Sequence, residues 1–184
     1  MKKSIERRKP KGIVDHLSIA LTTFGVGYFP IAPGTWGSAV AVLIYVGIGD
    51  LVSSVRNNEL GFFVGLSQAT VWAVIAVTLF LFILLGIWAS NRTIDILGST
   101  DPSQAVVDEV MGQLIVFAFV PFGVGWPLIL VGFLLFRFFD IWKPYPINDL
   151  QILPGGLGIC ADDIVAGVYA GICLSIIYAT GFLS

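Results

Sequence analysis

The sequence predicts an all-α, polytopic membrane helical bundle: three spanning helices, a Pro/Gly-broken helical hairpin over residues 110–136 and a short N-terminal helix. Three observations predict it. Of 184 residues, 57% are hydrophobic and only 12% are charged, about half the charged share of a soluble domain. A soluble domain of this length has too much surface for its volume to hide that many apolar side chains. A mean hydropathy of +0.91 excludes disordered and fibrous classes. Long stretches also carry no charge, and a helix needs about 20 mostly apolar residues to cross the hydrocarbon.

The elements follow in order. Residues 1–12 form a basic tail, and residues 13–184 form one membrane-embedded domain. Six of the ten basic residues (Lys2, Lys3, Arg7, Arg8, Lys9 and Lys11) lie in the first eleven positions. Gly25, Gly27, Pro30 and Pro33 interrupt the apolar run after the tail, which argues against a cleaved signal peptide. Residues 36–55 form the first span, with Asp50 toward its far end. Residues 60–91 are uncharged and contain the clearest span, 69–89; residues 164–184 form the third. The fourth uncharged stretch, 110–136, contains Pro121-Phe-Gly-Val-Gly-Trp-Pro127. Two prolines and two glycines in seven residues break a helix, so a hairpin with its tip at 121–127 is expected. Its arms would be roughly 16–20 Å long, short of a full crossing.

Basic residues collect on the cytoplasmic side of a membrane, which places the N-terminus inside. With 110–136 re-entrant, residues 92–109 and 137–163 also lie inside. Nine of the ten basic residues are then cytoplasmic, Arg56 being the exception. This topology brings Asp108, Glu109, Asp140, Asp162 and Asp163 to one face. The first two open the hairpin, Asp140 closes it, and the last two open the third span. One carboxylate suffices to cap a helix or complement its dipole, so a doubled acid asks for more. Adjacent helical residues point about 100° apart, which lets the second face another helix. Carboxylates converging without cations repel and protonate. A divalent metal resolves the conflict, and all-oxygen ligation suits Mg²⁺.

Two other segments stand beside these acids. Gly25-Val-Gly-Tyr-Phe-Pro-Ile-Ala-Pro-Gly-Thr-Trp-Gly-Ser38 runs into a helix, with Thr35 as the expected N-cap and Ser38 three residues on. Backbone N–H groups at such a glycine-rich helix start suit phosphate, although Pro-Gly-Thr is also an ordinary helix-start turn. In Arg137-Phe-Phe-Asp-Ile-Trp-Lys-Pro-Tyr-Pro146, Arg137 and Asp140 share a helix face. Arg137 and Lys143 can hold phosphate oxygens, or snorkel at the membrane edge among the aromatics. Asp140 can orient Arg137, complete a metal shell or act as base.

Absences narrow the chemistry. His16 is the only histidine, which excludes a two-histidine phosphoryl mechanism. Alanine lies six residues after both Cys160 and Cys173, where a cysteine phosphatase needs arginine. Nothing in their apolar surroundings suggests a disulfide framework. No Asp-x-Asp-x-Thr or Asp-Gly-x-x-Ala-Arg motif occurs. A formal net charge of −2 argues against a nucleic-acid partner.

Four segments together resemble bacterial phosphatidylglycerophosphatase A: Phe29-Pro-Ile-Ala-Pro-Gly-Thr-Trp-Gly-Ser38, Val107-Asp-Glu-Val-Met-Gly112, Phe136-Arg-Phe-Phe-Asp-Ile-Trp-Lys-Pro-Tyr-Pro-Ile147 and Gly155-Gly-Leu-Gly-Ile-Cys-Ala-Asp-Asp-Ile-Val-Ala-Gly167. The resemblance implies Mg²⁺-dependent hydrolysis of the lipid phosphatidylglycerophosphate to phosphatidylglycerol and phosphate, at the bacterial inner membrane with the site facing the cytoplasm. The family's acidic motifs fall on Asp108, Glu109, Asp140, Asp162 and Asp163 as catalytic residues. Metal is expected on Asp108, Glu109, Asp162 and Asp163. Substrate binding is expected at Gly34, Thr35, Ser38, Arg137 and Lys143. The likeness departs where relatives carry histidine in an acidic sequence before the Asp-Glu motif; this chain has Asp101-Pro-Ser there, and Pro154 where some have histidine before the double glycine. The rival reading is a small membrane transporter or channel, whose acids would lie near the bilayer midplane rather than at helix ends.

Overall fold

The computed structural model describes residues 6–57 and 67–181. Lys2 and Lys3 of the tail, the start of the uncharged stretch at 60–66 and the end of the third span at 182–184 lie outside the described residues. In chain order come α1 (Gly12–Thr23), a 3₁₀ turn (Val26–Tyr28), α2 (Pro33–Arg56), α3 (Gln68–Leu97), α4 (Val107–Phe117), α5 (Trp126–Trp142), α6 (Ile147–Leu150) and α7 (Gly155–Ala179). Among the described residues, three helices are long and apolar enough to cross a membrane: Pro33–Ser54 of α2, all of α3 and all of α7. The chain is an all-α membrane bundle.

Every span reaches further on its charged side than the run of uncharged residues indicates. Helix α3 continues past residue 89 through Arg92, whose Nε holds Asp15 at 2.8 Å. Helix α7 starts at Gly155, so Asp162 and Asp163 lie about two turns inside it rather than at its opening. A partnered charge does not end a helix. Likewise α2 begins at Pro33, ahead of the expected cap: the Thr35 N–H donates to the Ala32 carbonyl at 3.0 Å, placing Thr35 inside the first turn.

The hairpin is formed by α4 and α5. Gly112 lies against the Phe136 ring, while Gly132 lies against Phe117 and Val116, so the arms are antiparallel. The tip comprises residues 118–125, because Trp126 and Pro127 already open α5. Proline is welcome in a first turn, where its missing N–H has no partner to lose.

Helix α4 lies at the centre, packed on α2, α5, α7 and α3. Its contact with α7 is nearly bare backbone. A Cβ at Gly167 would strike the Gly112 carbonyl, and one at Gly112 would strike Phe136 and the Asp163 carbonyl. Small residues permit such close approach in membranes, where dispersion rather than hydrophobic burial holds helices together. Deeper in the bundle, Val116, Phe117, Leu128, Phe136, Ala166 and Leu174 form the main core. Gly156 of α7 fits against Ile87 and Asn91 of α3, and its N–H donates to Asn91 Oδ1 at 3.2 Å.

Helix α1 is inside-out. It buries Asp15, Ser18, Thr22 and Thr23, yet Ile13 and Leu17 are 78% and 62% exposed. That pattern suits a helix lying in the membrane interface. Asp15 accepts from Arg8 at 2.5 Å, from Arg92 at 2.8 Å and from the Lys11 N–H at 2.7 Å. The Arg8 hydrogen bond, then the Lys11 amide, hold its carboxyl well below the usual range. Tail, α1 and α3 are thereby tied together. Thr22 extends the tie: its carbonyl accepts the Val106 N–H at 2.9 Å, immediately before α4.

Candidate active site

Helices α2 and α4 run side by side in the same direction, Gly34 facing Glu109 and Tyr45 facing Phe117. The starts of both, the end of α5 and the third turn of α7 therefore meet at one end of the bundle. Asp108 and Glu109 stand in the first turn of α4, where the helix dipole favours negative charge. Asp163 of α7 joins them through the Gly112–Gly167 contact.

One carboxylate oxygen from each of Asp108, Glu109 and Asp163 lies within 4.8 Å of the other two. Unit charges that far apart repel by roughly 3 kcal/mol at an effective dielectric of about 20. Asp108 Oδ1 and Glu109 Oε2 are shielded from solvent and have no hydrogen-bond partner among the described residues. Unsatisfied buried acceptors are costly, and two of them beside a third carboxylate ask for a cation. The trio could hold a metal ion.

The remaining acids have cations of their own. Asp162 Oδ2 accepts from Lys143 Nζ at 2.5 Å and from Gln151 Nε2 at 3.1 Å, while its Oδ1 is buried without a partner. Asp140 pairs with Arg137 at 2.8 Å and with Lys143 at 3.7 Å. Asp140 is also close enough to Glu109 and Asp163 for its charge to act on both. Lys143 ends α5 in the left-handed conformation, its N–H on the Phe139 carbonyl at 2.8 Å. Burial works against the Lys143 charge, but the Asp162 hydrogen bond and the surrounding acids outweigh it and raise its pKa.

The glycine-rich segment closes the site from α2. A Cβ on Gly34 would collide with the Glu109 carboxylate and crowd Arg137 Nη1. Thr35 is half-buried in the same turn. Ser38 is fully buried one turn deeper, its hydroxyl donating to the Gly34 carbonyl at 3.1 Å. Sequence reading did not single out Gln113 or Gln151. Gln113, fully buried, has neither amide atom hydrogen-bonded among the described residues, and it was visible as the one polar amide in the stretch 110–136. Gln151 follows no motif and is found only through its contact with Asp162.

The family profile described as phosphatidylglycerophosphatase A matches residues 19–178. A Bacteroides thetaiotaomicron protein named "Putative phosphatidylinositol-3-phosphatase" is 35% identical over 84% of this chain and 89% of its own length. Phosphatidylglycerophosphatase A of Haemophilus influenzae is 32% identical over 88% of both chains. Its namesake from Escherichia coli is 32% identical over 86% of this chain and 79% of its own. No solved structure matches. With the profile spanning most of the sequence, the chain belongs to the phosphatidylglycerophosphatase A family, whose members are phosphoric monoester hydrolases.

Proposed function

We propose that the chain hydrolyses the terminal phosphomonoester of phosphatidylglycerophosphate, with Mg²⁺ as cofactor, at the cytoplasmic face of a bacterial inner membrane. The observation that carries the reading is the carboxylate trio at the meeting point of four helices, with Arg137 and Lys143 beside it. The donor set suits Mg²⁺: three carboxylates offering only oxygen, two of them with a shielded oxygen that has no partner among the described residues. Membership of an enzyme family and the gathering of the acids at one end of the bundle disfavour a transporter.

Asp108, Glu109 and Asp163 would hold the metal, with the unpartnered Asp162 Oδ1 beside them. When bound, the ion polarises phosphoryl oxygens and lowers the pKa of coordinated water. The chain's own residues supply the rest. Arg137 takes two phosphate oxygens in its planar fork, held in aim by Asp140. Lys143, kept charged by its acidic neighbours, offsets the charge on the equatorial phosphoryl oxygens as the glycerol oxygen leaves. Gly34 lets the backbone of α2 approach the headgroup, Thr35 adds a hydroxyl, and Ser38 fixes the Gly34 carbonyl from below. The test is phosphate release by purified protein from phosphatidylglycerophosphate and phosphatidylinositol 3-phosphate, before and after chelation. Release from the first lipid that chelation abolishes and Mg²⁺ restores is expected. Release indifferent to chelation would remove the metal from the mechanism.

A further inference from the structure

Between α2 and α3 lies a groove of about 590 Å³. We propose that it takes one acyl chain of the substrate lipid, an inference that rests on the function proposed above. The groove exists because α2 and α3 both lean on α4 and barely touch each other. Ile44 and Ile48 form one wall, Leu79 and Ile83 the other, and Leu114 and Ala118 the floor. Its size falls within the usual range for ligand pockets, and no residue lining it is charged. The Tyr45 hydroxyl, one of few polar groups there, is committed to the Pro121 carbonyl at 2.8 Å.

What fills the groove follows from where it begins. Helices α2 and α4 border the carboxylates at Gly34 and Glu109, then continue as the wall and floor of the groove. Leu114 comes five residues after Glu109, roughly 7 Å along the helix. A molecule held by its phosphate at the cluster and extended along α4 reaches the groove with its tail, and that tail has to be apolar. Relatives named for phosphatidylinositol-3-phosphatase and for phosphatidylglycerophosphatase differ in headgroup and share the phosphatidyl part. An apolar slot reads the shared part.

A row of rings crosses the groove on the side away from Glu109. Phe117 stacks on Tyr45 with ring centroids 4.4 Å apart, Tyr45 on Phe122 at 5.2 Å and Phe122 on Trp72 at 5.3 Å. This row crosses from the floor to both walls and stops a chain that runs past it. Long and short tails are therefore treated differently.

The experiment measures phosphate release from short-chain and long-chain phosphatidylglycerophosphate by the full chain in an uncharged detergent. Ala76→Phe fills the groove from an exposed position on α3. It should raise KM for the long-chain lipid by about tenfold, the worth of two buried methylene groups, and leave the short-chain lipid unchanged. Trp72→Ala removes the stop and should shift preference toward longer tails. A long-to-short ratio equal to wild type in both variants overturns the acyl-chain assignment alone. Absence of release from either lipid by the wild-type chain overturns the proposed function and this inference with it.

Discussion

Asp15 is buried and Glu109 keeps one carboxylate oxygen shielded from water near the same end of the bundle, and their surroundings are opposite. Asp15 has two arginines and a backbone N–H on its oxygens. Glu109 has other acids nearby and an oxygen with no partner. A buried charge supplied with partners by the chain itself is a structural joint. One left short of partners is waiting for something the chain does not encode. The contrast separates the groups that hold this fold from those proposed to do its chemistry, and it can be tested at each.

The largest effect is expected at the trio. Asp108→Asn, Glu109→Gln or Asp163→Asn should lower phosphate release by at least about a hundredfold, as loss of a principal transition-state stabiliser does. Without metal, the same variants should melt at higher temperature than the parent, because a repelling charge has been removed. A lower melting temperature would mean that these acids are structural joints after all. Next comes Asp140→Asn, which should cost about ten- to a hundredfold in kcat/KM through misaimed Arg137, with melting little changed. Gly34→Ala should cost about tenfold in turnover, since the new methyl group displaces the Glu109 carboxylate it would meet.

Asp15→Asn should reverse the pattern: a clearly lower melting temperature, with turnover per folded molecule close to the parent's. Its pH dependence is the finest test. The folded pKa of Asp15 lies below the unfolded value, so its stabilising contribution is complete above the ordinary range near 3.9 and fades only as pH falls beneath it. The melting difference between parent and Asp15→Asn should stay constant from about pH 7 to 5 and shrink below about pH 4. A difference that already shrinks near neutrality would show that the clamp is not what holds α1.

Much of this contrast was legible in the sequence. The acids expected to gather do stand at one end, because charge-free stretches and positive-inside bias fix which ends share a face. The i,i+3 spacing of Arg137 and Asp140 forecast their ion pair. The Asp15 clamp was not legible, since Arg8, Asp15 and Arg92 are far apart in the chain and form no motif. Helix boundaries differ from the expected ones for a related reason. Absence of charge marks where a chain can sit in hydrocarbon, whereas helices continue into polar surroundings wherever partners exist, as α3 does at Arg92 and α7 before Asp162. Gln113 was visible as a lone amide among apolar residues, but nothing local distinguishes a buried amide from one turned to a neighbouring helix.

At Gly112 and Gly167 two helices touch main chain to main chain, with no side chain left to trim. Glu109 is three residues from Gly112 and Asp163 is one turn from Gly167, so the span between their oxygens inherits the closeness of this contact. The arrangement resembles a caliper resting on its closed stop. Substitution at either glycine moves the jaws only outward, toward ions of larger radius.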